Sequence, residues 1–366
     1  MKMHIGWMLL LALSACGGKD EEPKAADAVP PPEATAEAAS DEAAPPPPHS
    51  IKPQPALEAP LAAKYRMIDI ADTGQRLIAV GQRGSIVISD DGKTWKQVPS
   101  PVNTMLTRVR FLDAQRGWAV GYDGAILHTN DGGGSWALQH HNAEARQLFD
   151  ILMLDAQNGI AVGGYGAYLA TADGGANWQL RQFPIGDLGQ HFNTIVQLGN
   201  GTLFIAGEKS LLATSTDRGE NWQLLHSPYA GSMFGAVPMG ERGVLVYGLR
   251  GRVYVAADIG AVATQDVAAF DPAARLTTGD AAGITQLGWQ QLNGGLSESM
   301  FGAAKLPDGE VLLVGVNGLG EKTNLAAASL TPLKLPTDAS LSGALARDGR
   351  VIGVGKRGVV DLGAIN

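Results

Sequence analysis

Positively charged side chains recur at one position of a short turn that the chain repeats seven times. The turn has the pattern Gly-x-x-Gly, with weaker copies in the second half of the chain, and four of the seven third residues are basic. In chain order the third residues are Arg83, Asp123, Tyr165, Lys209, Arg250, Asn317 and Arg357, and Lys356 stands beside the last. Cations gathered on one face can bind acidic or polar groups of a partner. The alternative is that exposed hairpin turns attract Lys and Arg without any such role.

A second repeated motif places an aspartate a few residues before a tryptophan. It reads Thr-x-Asp-x-Gly-x-Ser-Trp at residues 129–136, with related copies at 171–178 and 215–222 and a shorter one at 89–95. The Asp side chain can accept hydrogen bonds from the backbone of its own turn, and the Trp can pack on the sheet. The motif resembles the Asp-box, or BNR repeat, which occurs in glycosidases and in non-enzymatic propellers alike. We therefore predict a structural role for Asp91, Trp95, Asp131, Trp136, Asp173, Trp178, Asp217 and Trp222.

Histidines and phenylalanines mark the stretches that link one repeat to the next. The histidines are His140, His141, His191 and His226. A zinc site needs three or four ligands within tetrahedral reach and usually an ordered second shell. Surface histidines on long loops explain them more simply, so we predict no metal site and no cofactor. We expect four phenylalanines at equivalent core positions of the inner strands, namely Phe149, Phe192, Phe234 and Phe301.

The single cysteine, Cys16, follows an apolar run at residues 5–13 that is too short to cross a bilayer. Small residues directly before the cysteine are typical of the end of a signal peptide. The arrangement resembles the bacterial lipobox, which implies cleavage after residues 1–15 and lipidation of Cys16. Two or three acyl chains hold a protein on a membrane, and Gly17 in the next position favours the outer membrane. The alternative is an ordinary secretory signal with an incidental free thiol.

Residues 16–60 have the composition of a disordered tether. Positions 17–60 hold eleven of the twenty prolines, nine acidic residues and three basic ones. Such a stretch buries too little apolar area to offset its ordering entropy, and its charge keeps it extended. The remaining chain carries only about −3 of the net charge of −8. One cysteine excludes an intramolecular disulfide framework, and the acidic balance gives no reason to expect nucleic acid.

The rest of the chain repeats with a period near 41 residues. The first glycines of the seven turns are 40, 42, 44, 41, 67 and 40 residues apart. Each unit contains an apolar strand, a polar turn, a second strand ending at the glycine turn, a third strand, and a fourth beginning with Trp. Four short strands every forty residues are typical of a β-propeller blade. We predict an all-β fold over 61–366, a seven-bladed β-propeller of four-stranded blades, with an insertion at about 260–288 in blade five.

The last unit ends soon after its third strand. We expect residues 55–60 to supply the missing fourth strand, because closure of the ring by an N-terminal strand removes exposed sheet edges.

The repeats themselves are similar to those of a known family. Gly117–Trp136 and Gly159–Trp178 resemble most closely the photosystem II assembly and stability factor propellers. The resemblance extends over roughly Leu61–Asn366 and decays after blade four. It implies a non-enzymatic protein that binds membrane-protein partners during assembly, and some members of the family are lipoproteins.

A sialidase-like glycoside hydrolase is the alternative function. Sialidases share the Asp-box, and Tyr65-Arg66-Met67-Ile68 is faintly similar to the start of their first blade. Their chemistry needs three arginines on a substrate carboxylate, an acid/base Asp, and a Tyr activated by Glu. Arg66, Arg250 and either Arg108 or Arg110 could fill the arginine positions, but no Tyr–Glu pair stands out. We therefore predict no catalytic residue.

These features together predict a lipid-anchored protein of the outer membrane that faces the periplasm. Its propeller is expected to be monomeric and to bind a membrane protein or envelope complex, such as a photosystem-like assembly or a transporter. The predicted contact residues are Arg83, Lys209, Arg250, Lys356 and Arg357.

Overall fold

The computed structural model describes residues 52–142, 147–271 and 281–365. Within these ranges 28 strands form seven antiparallel sheets, and the first strands of successive sheets pack side by side in a closed ring. The predicted seven-bladed all-β propeller is therefore confirmed. The signal peptide, Cys16 and most of the tether lie outside the described residues. In the described part of the chain, no helix has the length and apolar character that a membrane crossing requires.

The first four blades have their strands in chain order, from the central channel outwards. Blade 1 consists of β1 (Met67–Asp72), β2 (Leu77–Gly81), β3 (Ile86–Ser89) and β4 (Lys96–Val98). Blade 2 consists of β5 (Leu106–Phe111), β6 (Gly117–Gly121), β7 (Ile126–Thr129) and β8 (Ala137–His140). Blade 3 consists of β9 (Leu148–Met153), β10 (Gly159–Gly163), β11 (Tyr168–Thr171) and β12 (Gln179–Leu180). Blade 4 consists of β13 (Phe192–Gln197), β14 (Leu203–Gly207), β15 (Leu212–Ser215) and β16 (Gln223–Leu225).

The last three blades include the insertion and the incomplete sheet. Blade 5 consists of β17 (Met233–Met239), β18 (Gly243–Gly248), β19 (Val253–Ala256) and β21 (Gln290–Gln291). Blade 6 consists of β22 (Met300–Lys305), β23 (Val311–Gly315), β24 (Leu319–Asn324) and β25 (Ser329–Lys334). Blade 7 has only β26 (Leu341–Arg347), β27 (Arg350–Gly355) and β28 (Gly358–Gly363).

The ring closes by packing and not by the N-terminal strand that the sequence predicted. Residues 52–60 form no strand; the Ala56 amide donates to the carbonyl of Ser100, beside the outer strand of blade 1. A short 3₁₀ helix, Ala62–Lys64, packs against the turn at Gly358. A buried cluster that includes Met67 and Ile70 of blade 1 with Val354 of blade 7 joins the two blades. Side-by-side packing of β1 on β26 therefore closes the ring without a fourth strand in blade 7.

The insertion adds a strand to a neighbouring blade. After β19 the chain forms the 3₁₀ turn Ile259–Ala261, and then β20 (Thr264–Gln265) pairs with β16 as a fifth strand of blade 4. A second 3₁₀ turn (Val267–Ala269) and helix α1 (Ala281–Gln286) follow before β21. Ile284 and Trp289 are buried against blades 4 and 5, so the insertion covers their junction.

Close backbone approach explains the glycine turns between the second and third strands. In blade 1 the Gln82 amide donates to the carbonyl of Arg66, just before β1. A Cβ on Gly81 would lie 2.3 Å from that carbonyl oxygen. A Cβ on Gly84, which has φ +67°, would lie 1.8 Å from the carbonyl oxygen of Val102. Each turn is thereby held between the start of its own inner strand and the link to the next blade.

Candidate functional site

The seven turns lie at one end of the propeller, which we call the turn face. The opposite end carries the Asp-boxes, and we call it the box face. At six of the turns the third residue has a left-handed backbone, with φ between 49° and 60°. This conformation directs a side chain away from the strands, and every third residue except the half-buried Asp123 is exposed. The structure thus gathers the cations at one end of the ring.

The five predicted contact residues are all exposed on this face, with different surroundings. The Nη1 atom of Arg357 lies 2.7 Å from Oδ1 of Asp338, a surface ion pair. Among the described residues, Arg83, Lys209, Arg250 and Lys356 form no ion pair, although Glu208 precedes Lys209 in its turn. Binding through these residues stays a prediction.

The largest group of cations on the turn face lies on two neighbouring blades, whereas Lys209 and Arg250 lie apart from it on blades 4 and 5. Blades 7 and 1, which are neighbours in the ring, contribute Lys356, Arg357 and Arg83, and the sequence analysis missed Arg66 as a member of this group. Arg66 precedes β1, is exposed, and lines a cavity together with Lys356. Blades 2 and 3 instead contribute Asp123 and Tyr165.

A β-bulge opens each inner strand and forms the mouth of the central channel. In every blade the register shifts at the second residue of that strand. The seven bulged residues are Ile68, Thr107, Phe149, Asn193, Phe234, Phe301 and Ser342. The three polar ones bond to the next blade; for example, the Ser342 hydroxyl donates to the carbonyl of Met67 at 2.9 Å.

The prediction that four phenylalanines occupy equivalent core positions of the inner strands is wrong. Phe192 begins its strand and is fully buried, whereas Phe149, Phe234 and Phe301 are bulged residues at the mouth. The rings of Phe234 and Phe301 lie 5.3 Å apart, and Phe301 is 36% exposed. The spacing in the sequence already separates them, because Phe192 lies 15 residues before the first glycine of its turn and the other three lie 14 before theirs. The bulge at that second position directs its side chain to the mouth.

Buried charges cross the channel just below this mouth. Asp150 is fully buried and lies 3.2 Å from Nε of Arg108 and 3.1 Å from Nη2 of Arg110. Its carboxylate also accepts hydrogen bonds from the Thr194 hydroxyl and the Ile195 amide. Burial alone raises the pKa of Asp150, but the two guanidiniums outweigh burial and hold the pKa below its usual value.

Asp69 completes this network from blade 1. Its carboxylate lies 3.4 Å from Nη1 of Arg108 and accepts a hydrogen bond from the Val109 amide. Burial lowers the pKa of Arg108, but Asp150 and Asp69 together raise it above its usual value. The sequence analysis missed both aspartates. The sequence pattern that could have identified them is an acidic residue at the same position of two apolar inner strands. A charge at such a position needs a buried partner.

Glycines line the channel on the side of blades 5 to 7, and the cavity there extends across to Arg108 of blade 2 and Thr194 of blade 4. Where blades 1 to 4 have Asp69, Arg108, Asp150 and Thr194, blades 5 to 7 have Gly235, Gly302 and Gly343. A Cβ on Gly302 would lie 2.6 Å from the Cα of Gly343, so the two strands approach too closely for side chains. A cavity of about 340 Å³ is left, and burial raises the pKa of Tyr247 at its edge to about 12.

The Asp-box aspartates each organise a turn on the box face. Asp131 accepts hydrogen bonds from the Ser135 amide and hydroxyl, and the Thr129 hydroxyl donates to it. Partial burial raises the pKa of Asp131, but these bonds outweigh it and lower the pKa to about 2. Asp173 and Asp217 accept the same set from their own turns, and Asp91 accepts from Lys93 and Thr94. These hydrogen bonds lie within each turn, so they indicate a structural role and give no evidence for a bound ligand.

The tryptophans of the boxes pack against the sheets. Trp136 and Trp222 donate from Nε1 to the glycine carbonyls of their own turns, whereas Trp178 donates to Gln139 of blade 2. All three are buried, and Trp95 is half-buried.

The arginines of the sialidase alternative lie in different surroundings. Arg66 and Arg250 are exposed on the turn face, whereas Arg108 and Arg110 are in the channel. Asp150 contacts both channel arginines, and Asp69 contacts Arg108. A substrate carboxylate would have to compete with these built-in carboxylates.

The linking histidines make separate contacts. His140 lies 2.6 Å from the carbonyl of Gly124, and Nδ1 of His191 accepts from the Tyr165 amide. The backbone of His226 bonds to Ala263 and Trp289. Over the ranges described, no three His, Cys, Asp or Glu residues come together as a metal site.

Comparison with known proteins places this geometry in a family. The family described as photosynthesis system II assembly factor YCF48 matches residues 87–148 and 135–288. A chloroplastic photosystem II stability/assembly factor HCF136 from Cyanidioschyzon merolae is 36% identical over 70 residues. That match covers 17% of this chain and 16% of the relative, so it spans far less than two thirds of the relative's length.

Solved structures share the fold at low sequence identity. A YCF48 bound to a D1 peptide is 18% identical, with a TM-score of 0.58 over 86% of this chain and all of the other. YCF48 from Cyanidioschyzon merolae is 13% identical, with a TM-score of 0.60 over 82% of this chain and 96% of the other. The WD40 propeller of Doa1 reaches 0.59 at 10% identity, over 84% and 94% of the two chains. Structural likeness at this level shows the propeller fold, whereas the family profile covers more than half of the sequence, so the chain belongs to the photosystem II assembly factor YCF48 family.

Proposed function

We propose that the protein is a non-enzymatic assembly or stability factor that binds a segment of a membrane protein or envelope complex through its turn face. The observation that carries the proposal is the group of exposed cations there, of which Arg83, Arg250 and Lys356 have no acidic partner among the described residues. Cations that bind nothing internally remain available to a partner, and Arg is well suited to anchor an interface. A family member solved with a D1 peptide supports a peptide segment of a membrane protein as the kind of partner.

The proposal includes a lipid anchor at Cys16 in the outer membrane, with the propeller facing the periplasm. Its support is the sequence alone, that is, small residues before the only cysteine and an acidic, proline-rich stretch after it. An anchor of this kind would raise the local concentration of the propeller near membrane-embedded partners.

Charge reversal on the two faces tests the proposal. One variant carries Arg83→Glu, Arg250→Glu and Arg357→Glu. The matched control carries Lys93→Glu, Arg218→Glu and Arg242→Glu on the box face, with the same change in net charge. Partners are captured by in-cell cross-linking of the full chain and quantified by mass spectrometry.

The turn-face variant is expected to lower partner recovery at least about tenfold, because three attractions become repulsions at the contact. The control is expected to change recovery less than twofold. Unchanged recovery with the turn-face variant, or equal losses with both, would exclude this face as the contact surface.

A further inference from the structure

A recessed cavity lies on the turn face above blade 7. Its volume is about 340 Å³, at the small end of the range for binding pockets, which is about 300–1,000 Å³. Blade 6 contributes Phe301, blade 1 contributes Arg66 and Ile68, and blade 7 contributes Leu341 and Lys356. Room of this size accommodates one or two side chains, not a folded surface.

One wall of the cavity is apolar. Phe301 is partly exposed, and Ile68, which lines the same cavity, is half-buried. The Phe234 ring packs against the Phe301 ring, with the centroids 5.3 Å apart. A rigid aromatic wall gains free energy when an apolar side chain covers it.

The rim of the same cavity is cationic. Arg66 and Lys356 line it, both are exposed, and neither forms an ion pair among the residues that the structure describes. Arg83 follows in the turn of blade 1, and the paired Arg357 is next to Lys356. An apolar pocket rimmed by unpaired cations is complementary to an apolar side chain flanked by carboxylates.

We infer that this cavity is the specificity pocket of the turn face and binds one apolar anchor residue of an extended acidic segment in the partner protein. The inference rests on the proposed binding function and restricts the contact to the side formed by blades 6, 7 and 1. An anionic membrane surface would also satisfy the cations. However, a bilayer requires apolar groups that protrude, whereas Phe301 and Ile68 line a concave cavity, a shape that suits a single inserted side chain.

Two synthetic peptides test the pocket on the full chain with Cys16→Ser. The first is fluorescein-labelled Gly-Glu-Asp-Phe-Glu-Asp-Gly, and the second has Ser in place of Phe. Fluorescence anisotropy gives both affinities, and their ratio isolates the anchor from the charges. The variant Phe301→Ser removes the apolar wall. Phe149→Ser is the matched control, because Phe149 is the bulged residue of blade 3 on the other side of the mouth.

The Phe peptide is expected to bind at least about tenfold more tightly than the Ser peptide. Phe301→Ser should reduce that ratio below threefold, and Phe149→Ser should leave it within twofold. Arg66→Glu combined with Lys356→Glu should weaken both peptides and preserve the ratio. The ratio is meaningful only for folded protein. The thermal unfolding of each variant is therefore measured, and it should match that of the wild type.

Equal affinities of the two peptides, no measurable binding of either, or a ratio that depends on Phe149 would overturn the inference. Displacement of the Phe peptide by phosphatidylglycerol vesicles and not by phosphatidylcholine vesicles would also overturn it, in favour of a lipid surface. If charge reversal abolishes partner capture while the peptides bind equally, the pocket is refuted and the proposed function stands. If capture survives charge reversal, the proposed function fails whatever the peptides do.

Discussion

Replacing Asp150 with Asn should destabilise the propeller strongly, although the two side chains have nearly the same shape. Asp150 is fully buried and is the only carboxylate in contact with both Arg108 and Arg110 among the described residues. Arg110 is 43% exposed and can turn to water, but Arg108 is only 18% exposed and would keep a single partner, Asp69, at 3.4 Å. Removal of one partner of a buried ion pair typically costs about 3–5 kcal/mol. Because Asp69 remains, we expect about 3 kcal/mol.

Urea unfolding followed by tryptophan fluorescence measures this loss. The control is Asp338→Asn, which breaks the exposed pair with Arg357 and should cost less than about 0.5 kcal/mol. The dependence of unfolding free energy on urea should stay unchanged, since neither variant alters the surface that unfolding exposes. A loss below about 1 kcal/mol for Asp150→Asn, or a loss equal to that of the control, would refute the role of the buried network.

The same variant has a predictable pH dependence. The folded-state pKa of Asp150 lies below the ordinary value of 3.8 for an aspartate, so its contribution to stability is fully present above the unfolded pKa. That contribution is lost as the pH falls through the folded pKa, where the carboxylate becomes protonated. The stability difference between wild type and Asp150→Asn should therefore be constant above about pH 5 and should shrink below pH 3.8. A difference that grows on acidification would contradict the assigned pairing.

Three further outcomes are expected. Gly84→Ala should lower the free energy of unfolding in urea by more than about 2 kcal/mol, because its Cβ would lie 1.8 Å from the carbonyl oxygen of Val102. The control is Gly349→Ala, which is also at positive φ but has open space around it and should cost about 1 kcal/mol. Equal losses would contradict the steric argument. Metabolic labelling with a radioactive fatty acid should mark the wild-type chain and not Cys16→Ser; label retained by that variant would exclude the anchor. Fluorogenic sialosides should not be hydrolysed by the purified full chain, and hydrolysis abolished by Arg66→Ala would instead favour the sialidase alternative.

The sequence predicts the features that recur from blade to blade, because the same physical requirement recurs with them. Every second strand ends at a glycine that must pass close to the start of the inner strand, and each Asp-box requires an acceptor for its own amides. The absence of a fourth strand in blade 7 could also be predicted, because the last repeat ends soon after its third strand. Its replacement could not be predicted, since Met67 and Val354 meet only after the ring has formed.

Features that differ between blades are the ones that sequence reasoning placed poorly. The bulge moves Phe234 and Phe301 to the mouth while Phe192 stays in the core. Phe192 lies one position further from its glycine turn than the other two, which the sequence shows, but alternation along a strand does not reveal that the next position is bulged in every blade. The fifth strand of blade 4 likewise comes from the insertion in blade 5, through pairing that is not local in sequence.

The departures from the repeat also explain why the candidate site lies on one side of the ring. A sevenfold scaffold presents equivalent positions all around its axis, so only substitutions at those positions can distinguish one sector from another. Blades 1 to 3 place Asp69, Asp150, Arg108 and Arg110 in the channel, where two negative and two positive charges neutralise one another, whereas blades 6 and 7 have only Gly302 and Gly343 at the corresponding positions. The sector of blades 6 and 7 is also where Phe301 remains exposed and Lys356 has no acidic partner among the described residues. An exposed aromatic side chain and unpaired positive charge thus lie together in the sector of blades 6, 7 and 1, although each depends on different residues.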